Sequence, residues 1–146
     1  MADFDFITPR IATGAAINSI DDVHELASVG ITHVVDCRAE FDDTALLSQL
    51  LMYLWDGVQD DGQPKSSDWF LKAQAFAMPA FVDVKTRLYF HCAAGVNRGP
   101  SMCYFFMRTL GFPPNTAEAM IRAARPQVGI GYKKDADAAI KTLGYE

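Results

Sequence analysis

The sequence predicts an α/β fold with a central mixed sheet of about four to five strands flanked by helices. Three observations carry this. Ile31-Thr32-His33-Val34-Val35-Asp36 is a β-branched run that reads as a buried strand, and it follows a stretch of helical period. Arg87-Leu88-Tyr89-Phe90-His91 is a second apolar run, and it leads into a loop of small residues and a proline. Helices alternate with strands early in the chain and dominate late, the order expected of a sheet flanked by helices.

Taken in order, FITPRIATG near the N-terminus reads as a short strand or hairpin. Ser19-Ile20-Asp21-Asp22 is a weak S-x-x-D capping signal, Val23, Leu26, Ala27 and Val29 follow at helical spacing, and Gly30 stops the helix. Helix is expected over Asp42–Leu51 and strand over Met52–Trp55. Asp56 to Ser67 reads as loop. Ser67 is placed to cap a helix through Trp69, Phe70, Ala73, Phe76 and Ala77, which Pro79 kinks or ends. Pro100 suits a first helical turn, with helix over Ser101–Leu110 and a stop at Gly111. Another helix starts at Asn115 or Thr116 and ends before Pro126, and a last one covers about Lys133–Leu143. With no internal repeat or low-complexity linker, residues 1–146 are expected to form one domain.

Half the 146 residues are hydrophobic, 21% are charged and 12% aromatic, ordinary globular composition. No apolar run is long enough for a membrane span, so no membrane partner is expected. MADFDFITPR has neither a basic start nor a long apolar segment, so no signal peptide is expected and the cytoplasm is the expected location. A net charge of −5 argues against a general nucleic-acid binder. The three cysteines, Cys37, Cys92 and Cys103, are expected to be reduced thiols. His24, His33 and His91 are scattered and no Cys/His set has zinc spacing, so no metal or cofactor is expected.

The informative stretch is His91-Cys92-Ala93-Ala94-Gly95-Val96-Asn97-Arg98-Gly99-Pro100. A loop of small residues between a strand end and a helix start can turn its N–H groups inward as an anion nest. The helix N-terminus adds partial positive charge. Gly95 permits a dihedral most residues avoid. Arg98 supplies a planar fork for two phosphate oxygens. A cysteine on the floor of such a cup is expected to be a thiolate, since helix N-termini and cations lower the free value of about 8.5 to roughly 3.5–7.5. A thiolate attacks phosphorus, and the cup steadies the oxygens of the transferring group.

HCAAGVNR resembles the His-Cys-x-x-Gly-x-x-Arg signature of cysteine-dependent protein tyrosine phosphatases, especially their dual-specificity branch. GITHVVD, Gly30–Asp36, resembles that branch's strand after the first helix. Chain length and motif position fit a likeness over nearly the whole chain. The resemblance implies a dual-specificity-like sheet, Cys92 as nucleophile, the 92–98 loop (Ala93, Ala94, Gly95, Val96, Asn97, Arg98) as phosphate site, and His91 as support for the loop. It also implies an aspartic acid that protonates the leaving oxygen and then activates water, about thirty residues before the cysteine. Asp56, Asp60 and Asp61 are candidates. Asp60 lies 32 residues before Cys92, and Asp60-Asp61-Gly62-Gln63-Pro64 resembles the D-x-G-x-P loop of the wider family. The Asp-Asp-Gly stretch also resembles the regenerating-liver group, where alignment favours Asp61.

Gly99 departs from the usual Ser or Thr after the arginine, whose hydroxyl helps the cysteine leave. Ser101 is not expected to replace it. Gly99-Pro100 resembles relatives with a small residue and proline there. Slow hydrolysis of the phosphoenzyme, sped by Gly99→Ser, is one reading; a glycine that lets the helix start close to the loop is the other. Arg38 either lines the pocket mouth or makes a surface ion pair. Cys37 and Cys103 pack, or one traps an oxidised Cys92. Trp55, Trp69 and Tyr53 either pack or grip an aromatic substrate. Asn97 braces the loop or faces solvent, and Arg125 touches the loop from outside.

The expected activity is phosphomonoester hydrolysis on a phosphorylated protein or peptide, phosphotyrosine first, with phosphoserine and phosphothreonine also in range. The loop has no lysine, which with the acidic charge disfavours a polyanionic inositol lipid. Asn97-Arg98 resembles RNA 5′-triphosphatases of the superfamily, but Ala94 stands where those carry a second histidine. The alternative from another class is a phosphate-binding module that does not turn over. A sulfurtransferase, with a shorter loop and no acid, fits least.

Overall fold

The computed structural model describes residues 1–47 and 49–145. Eleven elements run β1 (Phe4–Thr8), β2 (Ile11–Gly14), α1 (Ile20–Ser28), β3 (His33–Arg38), α2 (Thr44–Leu47), β4 (Met52–Val58), α3 (Ser67–Phe81), β5 (Leu88–His91), α4 (Arg98–Thr109), α5 (Pro114–Ala124) and α6 (Lys133–Leu143). The strands form one mixed sheet in the order β1-β2-β5-β3-β4. Only β1 and β2 are antiparallel; β2, β5, β3 and β4 pair in parallel. The expected α/β architecture with four to five strands is what the chain adopts.

The alternation of side chains along each strand splits the core between the two faces of the sheet. Val34, Ala12 and Tyr89 point to one face, where Val23 and Leu26 of α1 and Leu47 of α2 cover them. Val35, Ile11, Leu88 and Phe90 point to the other, against α3, α4, α5 and α6. Helix α4 is buried along its whole length and packs on β2, β3 and β5. That central position explains the Phe105-Phe106-Met107 run. Because β5 lies between β2 and β3, the carboxyl ends of three parallel strands meet where β5 hands over to α4. In open parallel sheets this is where ligands bind.

Several boundaries differ from the sequence expectation for visible reasons. Ser19 does cap α1, its hydroxyl accepting the Asp22 N–H at 3.2 Å, but the Asp22 carboxylate accepts from Asn18 N rather than completing a capping box. Helix α2 is a single turn rather than Asp42–Leu51; the Asp42 carboxylate caps it at Thr44, and Leu50 and Leu51 turn back onto the Leu47 carbonyl to feed β4. Ser48 lies outside the described residues. Strand β4 continues past Trp55 to Val58 because a bulge between Asp36 and Arg38 keeps it paired with β3. Gly57 is needed at that bulge, since a Cβ there would collide with the Arg38 carbonyl. Ser66, not Ser67, precedes α3, and Pro79 is accommodated in its last turn. Helix α4 begins at Arg98 rather than Ser101, and α5 begins at Pro114, a residue already shaped for a first turn.

Phe70 of α3 is fully buried, with its ring 5.1 Å from that of Phe105. Phe70→Ala should lower unfolding free energy by about 3–5 kcal/mol. Urea titration should show this as a lower midpoint at unchanged slope.

Candidate active site

Strand β5 ends at His91 and delivers Cys92 into a loop held from outside by backbone hydrogen bonds. Cys92 N–H donates to the Gly14 carbonyl (3.3 Å) and Ala16 N–H to the Ala93 carbonyl (3.0 Å). Gly95 has φ +70°, and a Cβ there would lie 2.5 Å from Gly14 C and 2.6 Å from Arg125 Nη2. Both its dihedral and its surroundings require glycine. The Val96 carbonyl accepts from Gly129 and Ile130 N–H (2.9 and 3.2 Å). Asn97 lies against this same segment, with Oδ1 at the place where Cβ atoms on Gly129 or Gly131 would sit. The loop is bounded by Cys92, 2% exposed, and by Arg98 at the first turn of α4.

Arg98 is 3% exposed and tightly directed. Its Nη1 and Nη2 donate to Glu40 Oε1 and Oε2 at 2.6 and 2.8 Å, and Nη1 also to the Val58 carbonyl at 2.9 Å. Its Nε is buried without a protein partner among the described residues. The hydrogen-bonded Glu40 carboxylate raises the guanidinium pKa against the opposing effect of burial. Arg98 in turn holds the Glu40 carboxyl down at about 2.

His91, fully buried, presents Nδ1 to the Cys92 carbonyl at 3.2 Å and Nε2 to Asp43 Oδ2 at 3.1 Å. Arg38 makes no surface pair: it bridges Asp36 (Nε–Oδ1 3.0 Å) and Asp43 (Nη2–Oδ1 2.9 Å) at 6% exposure, and it borders a hollow beside Ile17 and Phe41. The Tyr53 hydroxyl donates to Asp36 Oδ2 at 2.9 Å, which gives this ring a structural place. Asp36, Asp43 and His91 are close enough to share a metal ion. Arg38 and Tyr53 already engage both carboxylates, so these donors form an ion-pair network rather than an open ligand set.

Arg125 contacts the loop from behind, as expected, and it is fully buried. Its guanidinium donates to the Gly95 and Ala94 carbonyls (2.9 and 3.1 Å) and to Asp3 and Asp5 (2.9 Å each). Pulling these carbonyls outward leaves the loop's N–H groups free to face the other way.

The two candidate acids part company. Asp60 Oδ1 accepts from the Tyr132 hydroxyl at 2.7 Å, and Tyr132 N–H donates to the buried Ser101 hydroxyl at 3.0 Å. Asp61 turns to Lys65 (2.7 Å), which lowers its pKa. Asp56 is no loop acid: it lies in β4, 5% exposed, and its backbone carbonyl accepts the Trp69 indole N–H at 2.7 Å. Burial pushes its pKa up to about 7 against the attraction of Lys72, and Oδ2 has no partner among the described residues. Trp69 is core; Trp55 is 42% exposed with its indole on the Arg38 carbonyl. Cys37 and Cys103 are buried free thiols whose pKa burial raises. Residue-by-residue reading missed Glu40, Asp36, Asp43 and Tyr132. Only Glu40 left a trace, as an acid two residues beyond the end of β3.

The Asp56 shift sets a pH dependence. The folded state keeps the proton up to about pH 7, whereas an unfolded aspartate loses it near pH 4, so this residue's contribution to stability falls as pH rises between those values. Lys72 and Cys37 are the neighbouring titratable groups. Asp56→Asn should therefore be more stable than wild type at pH 8, by on the order of 2–4 kcal/mol, and the gap should narrow to about 1–2 kcal/mol at pH 5, closing only below about pH 4. Urea unfolding at the two pH values measures it.

No family model matches the chain, and no curated protein matches it in sequence. Solved structures do. It is similar to PTPMT1 in complex with PI(5)P at TM-score 0.82, with 14% identity over 97% of this chain and 96% of that one. It is similar to the human tyrosine phosphatase-like serine/threonine/tyrosine-interacting protein at TM-score 0.79, with 17% identity over 98% and 99%. A mouse putative dual specificity phosphatase complexed with zinc tungstate matches at TM-score 0.77, with 21% identity over 98% and 89%. With 14–21% identity throughout these three, the likeness is one of architecture: the chain has the fold of the tyrosine and dual-specificity phosphatases.

Proposed function

We propose that the chain is a phosphomonoester hydrolase of the protein tyrosine and dual-specificity type, working through a phosphocysteine on Cys92. The observation that carries this is the buried Arg98 Nε without a protein partner, at the end of a small-residue loop that starts at Cys92 and opens helix α4. Glu40 and Val58 hold the far side of the guanidinium. Its Nε and the remaining Nη2 hydrogen then form a fork for two oxygens of one phosphoryl group. The N–H groups of Ala93 to Arg98 and the α4 N-terminus serve the rest of the charge.

In the first step Cys92 Sγ attacks phosphorus, the S–P bond forms and the ester P–O bond breaks. Asp60 gives its proton to the leaving oxygen. In the second step Asp60, now a carboxylate, takes a proton from water as the water oxygen attacks phosphorus and the S–P bond breaks, releasing phosphate and the thiolate. Tyr132, anchored on Ser101, holds Asp60 in place. We assign Asp60 rather than Asp61 because Tyr132 positions Asp60 while Asp61 is turned away onto Lys65. His91, fixed by Asp43, supports the cysteine backbone. The substrate is a phosphorylated protein or peptide. Buried free thiols suit a reducing compartment, and we place the enzyme in the cytoplasm.

Gly99 favours a second reading, a cup that binds phosphate and turns over slowly or not at all. No hydroxyl follows Arg98, and Ser101 is engaged by Tyr132. A Cβ at Gly99 would sit 3.1 Å from the His91 backbone, tight enough that the glycine also serves the close start of α4. Gly99→Ser therefore carries a packing cost alongside any gain in hydrolysis.

Stopped-flow hydrolysis of p-nitrophenyl phosphate separates the readings. Wild type should show a burst and then slower turnover. Cys92→Ser should show neither, and Asp60→Asn should lose about 10²–10⁴-fold on a phosphoserine peptide while Asp61→Asn loses much less. Tight tungstate binding without nitrophenol release would leave only the binding module.

A further inference from the structure

The charges around the cup are unequally shared. Arg98, Arg125 and Arg38 are 3%, 0% and 6% exposed, and each is matched or outnumbered by carboxylates: Glu40; Asp3 and Asp5; Asp36 and Asp43. The Lys65 ammonium is bound to Asp61. What faces solvent beside the cup is acidic: Asp42 and Asp60, without a cationic partner among the described residues, and Glu40 and Asp61, which are exposed but paired with Arg98 and Lys65. Inside it, the buried Arg98 Nε is one unpartnered cationic donor, enough for a single phosphoryl group.

Next to the cup lies a hollow of about 410 Å³ lined by Ile17, Asn18, Arg38, Phe41, Asp42 and Leu46, where the Arg38 charge is already taken up by Asp36 and Asp43. Its position is fixed by two chain neighbours. Ala16, one residue before Ile17, hydrogen-bonds the Ala93 carbonyl, and Glu40, one residue before Phe41, holds Arg98. Phe41 is 55% exposed, an apolar ring presented beside acidic groups.

Resting on the phosphatase reading above, we infer that the substrate is a phosphopeptide with basic and apolar residues flanking the phosphorylated side chain. The phosphoryl group enters the cup and pairs with Arg98. An apolar neighbour lies on Phe41. A lysine or arginine meets Asp42 and the outer edge of Glu40. The same rim repels carriers with further negative charge, such as acidic peptides and inositol lipids with more than one phosphate, because like charges brought together across a binding surface cost energy. Exposed charges act through solvent, so the preference must weaken when salt shortens the Debye length from about 30 Å at 0.01 M to about 3 Å at 1 M.

The test compares kcat/KM of the full chain on phosphotyrosine peptides of one length, with Lys and Leu, with Ala only, or with Glu flanking the phosphorylated residue, at about 0.01 M and about 1 M salt. Vesicles carrying a phosphatidylinositol monophosphate are assayed alongside, with p-nitrophenyl phosphate as the control. The Lys/Leu peptide should exceed the Glu peptide by roughly tenfold or more at low salt, and the ratio should shrink at high salt. Asp42→Lys should cut that ratio severalfold, and Phe41→Ser should remove the advantage of Leu over Ala, both at unchanged p-nitrophenyl phosphate turnover. Equal rates on the three peptides, a preference for Glu, or faster hydrolysis of the vesicles, with the control intact, would overturn the inference and leave the phosphatase reading standing. Failure of the control itself would overturn both.

Discussion

A guanidinium buried at the end of a strand-loop-helix turn is the constraint on which the site depends. Arg98 can stay inside only because Glu40 takes two of its N–H groups and the Val58 carbonyl a third. An unpaired charge at that depth would be strongly destabilising. The pairing also aims the fork. With Nη1 fixed to the segment after β3 and to the end of β4, Nε is left directed elsewhere without a partner. Glu40 and Val58 thus turn a flexible side chain into a fixed one, and they do so from elements 58 and 40 residues away in sequence.

The same device recurs twice. Arg125, at the end of α5, draws the Ala94 and Gly95 carbonyls outward and ties them to Asp3 and Asp5 at β1. Arg38 joins Asp36 to Asp43, and Asp43 reaches His91, whose other nitrogen meets the Cys92 carbonyl. Three arginines therefore fasten the cysteine loop to β1, to the β3–α2 segment and to β4. Each is compensated locally, which leaves little surplus positive charge on the outer surface. Preorganisation of this kind is what makes oxyanion stabilisation effective, since the donors need not reorient as charge develops.

Much of this was legible in the sequence, and the boundary of legibility has a physical cause. The β-branched and apolar runs of β3 and β5 and the small-residue loop between β5 and α4 are local signals, and local signals fix strand, turn and helix start. Arg38 was misread because an arginine beside a strand end is ordinarily solvated; its burial depends on Asp43, brought round by the one-turn helix α2 that a longer helical expectation had hidden. Asp56 looked like a loop acid because β4 was expected to end at Trp55, and the bulge that extends it lies in the pairing with β3. Tyr132 as partner of Asp60 is 72 residues distant, and no periodicity announces it. Arg125 was placed correctly from its position before Pro126, although not its depth or its acidic partners.

The account stands or falls on a covalent bond between Cys92 and phosphorus. The most direct measurement is mass spectrometry of enzyme acid-quenched within the first turnover of a phosphotyrosine peptide, followed by proteolytic mapping. The account predicts a phosphoryl adduct on the fragment containing Cys92, accumulating before steady state and absent from Cys92→Ser. Peptide dephosphorylated with no adduct at Cys92, or with the adduct on another residue, would contradict it.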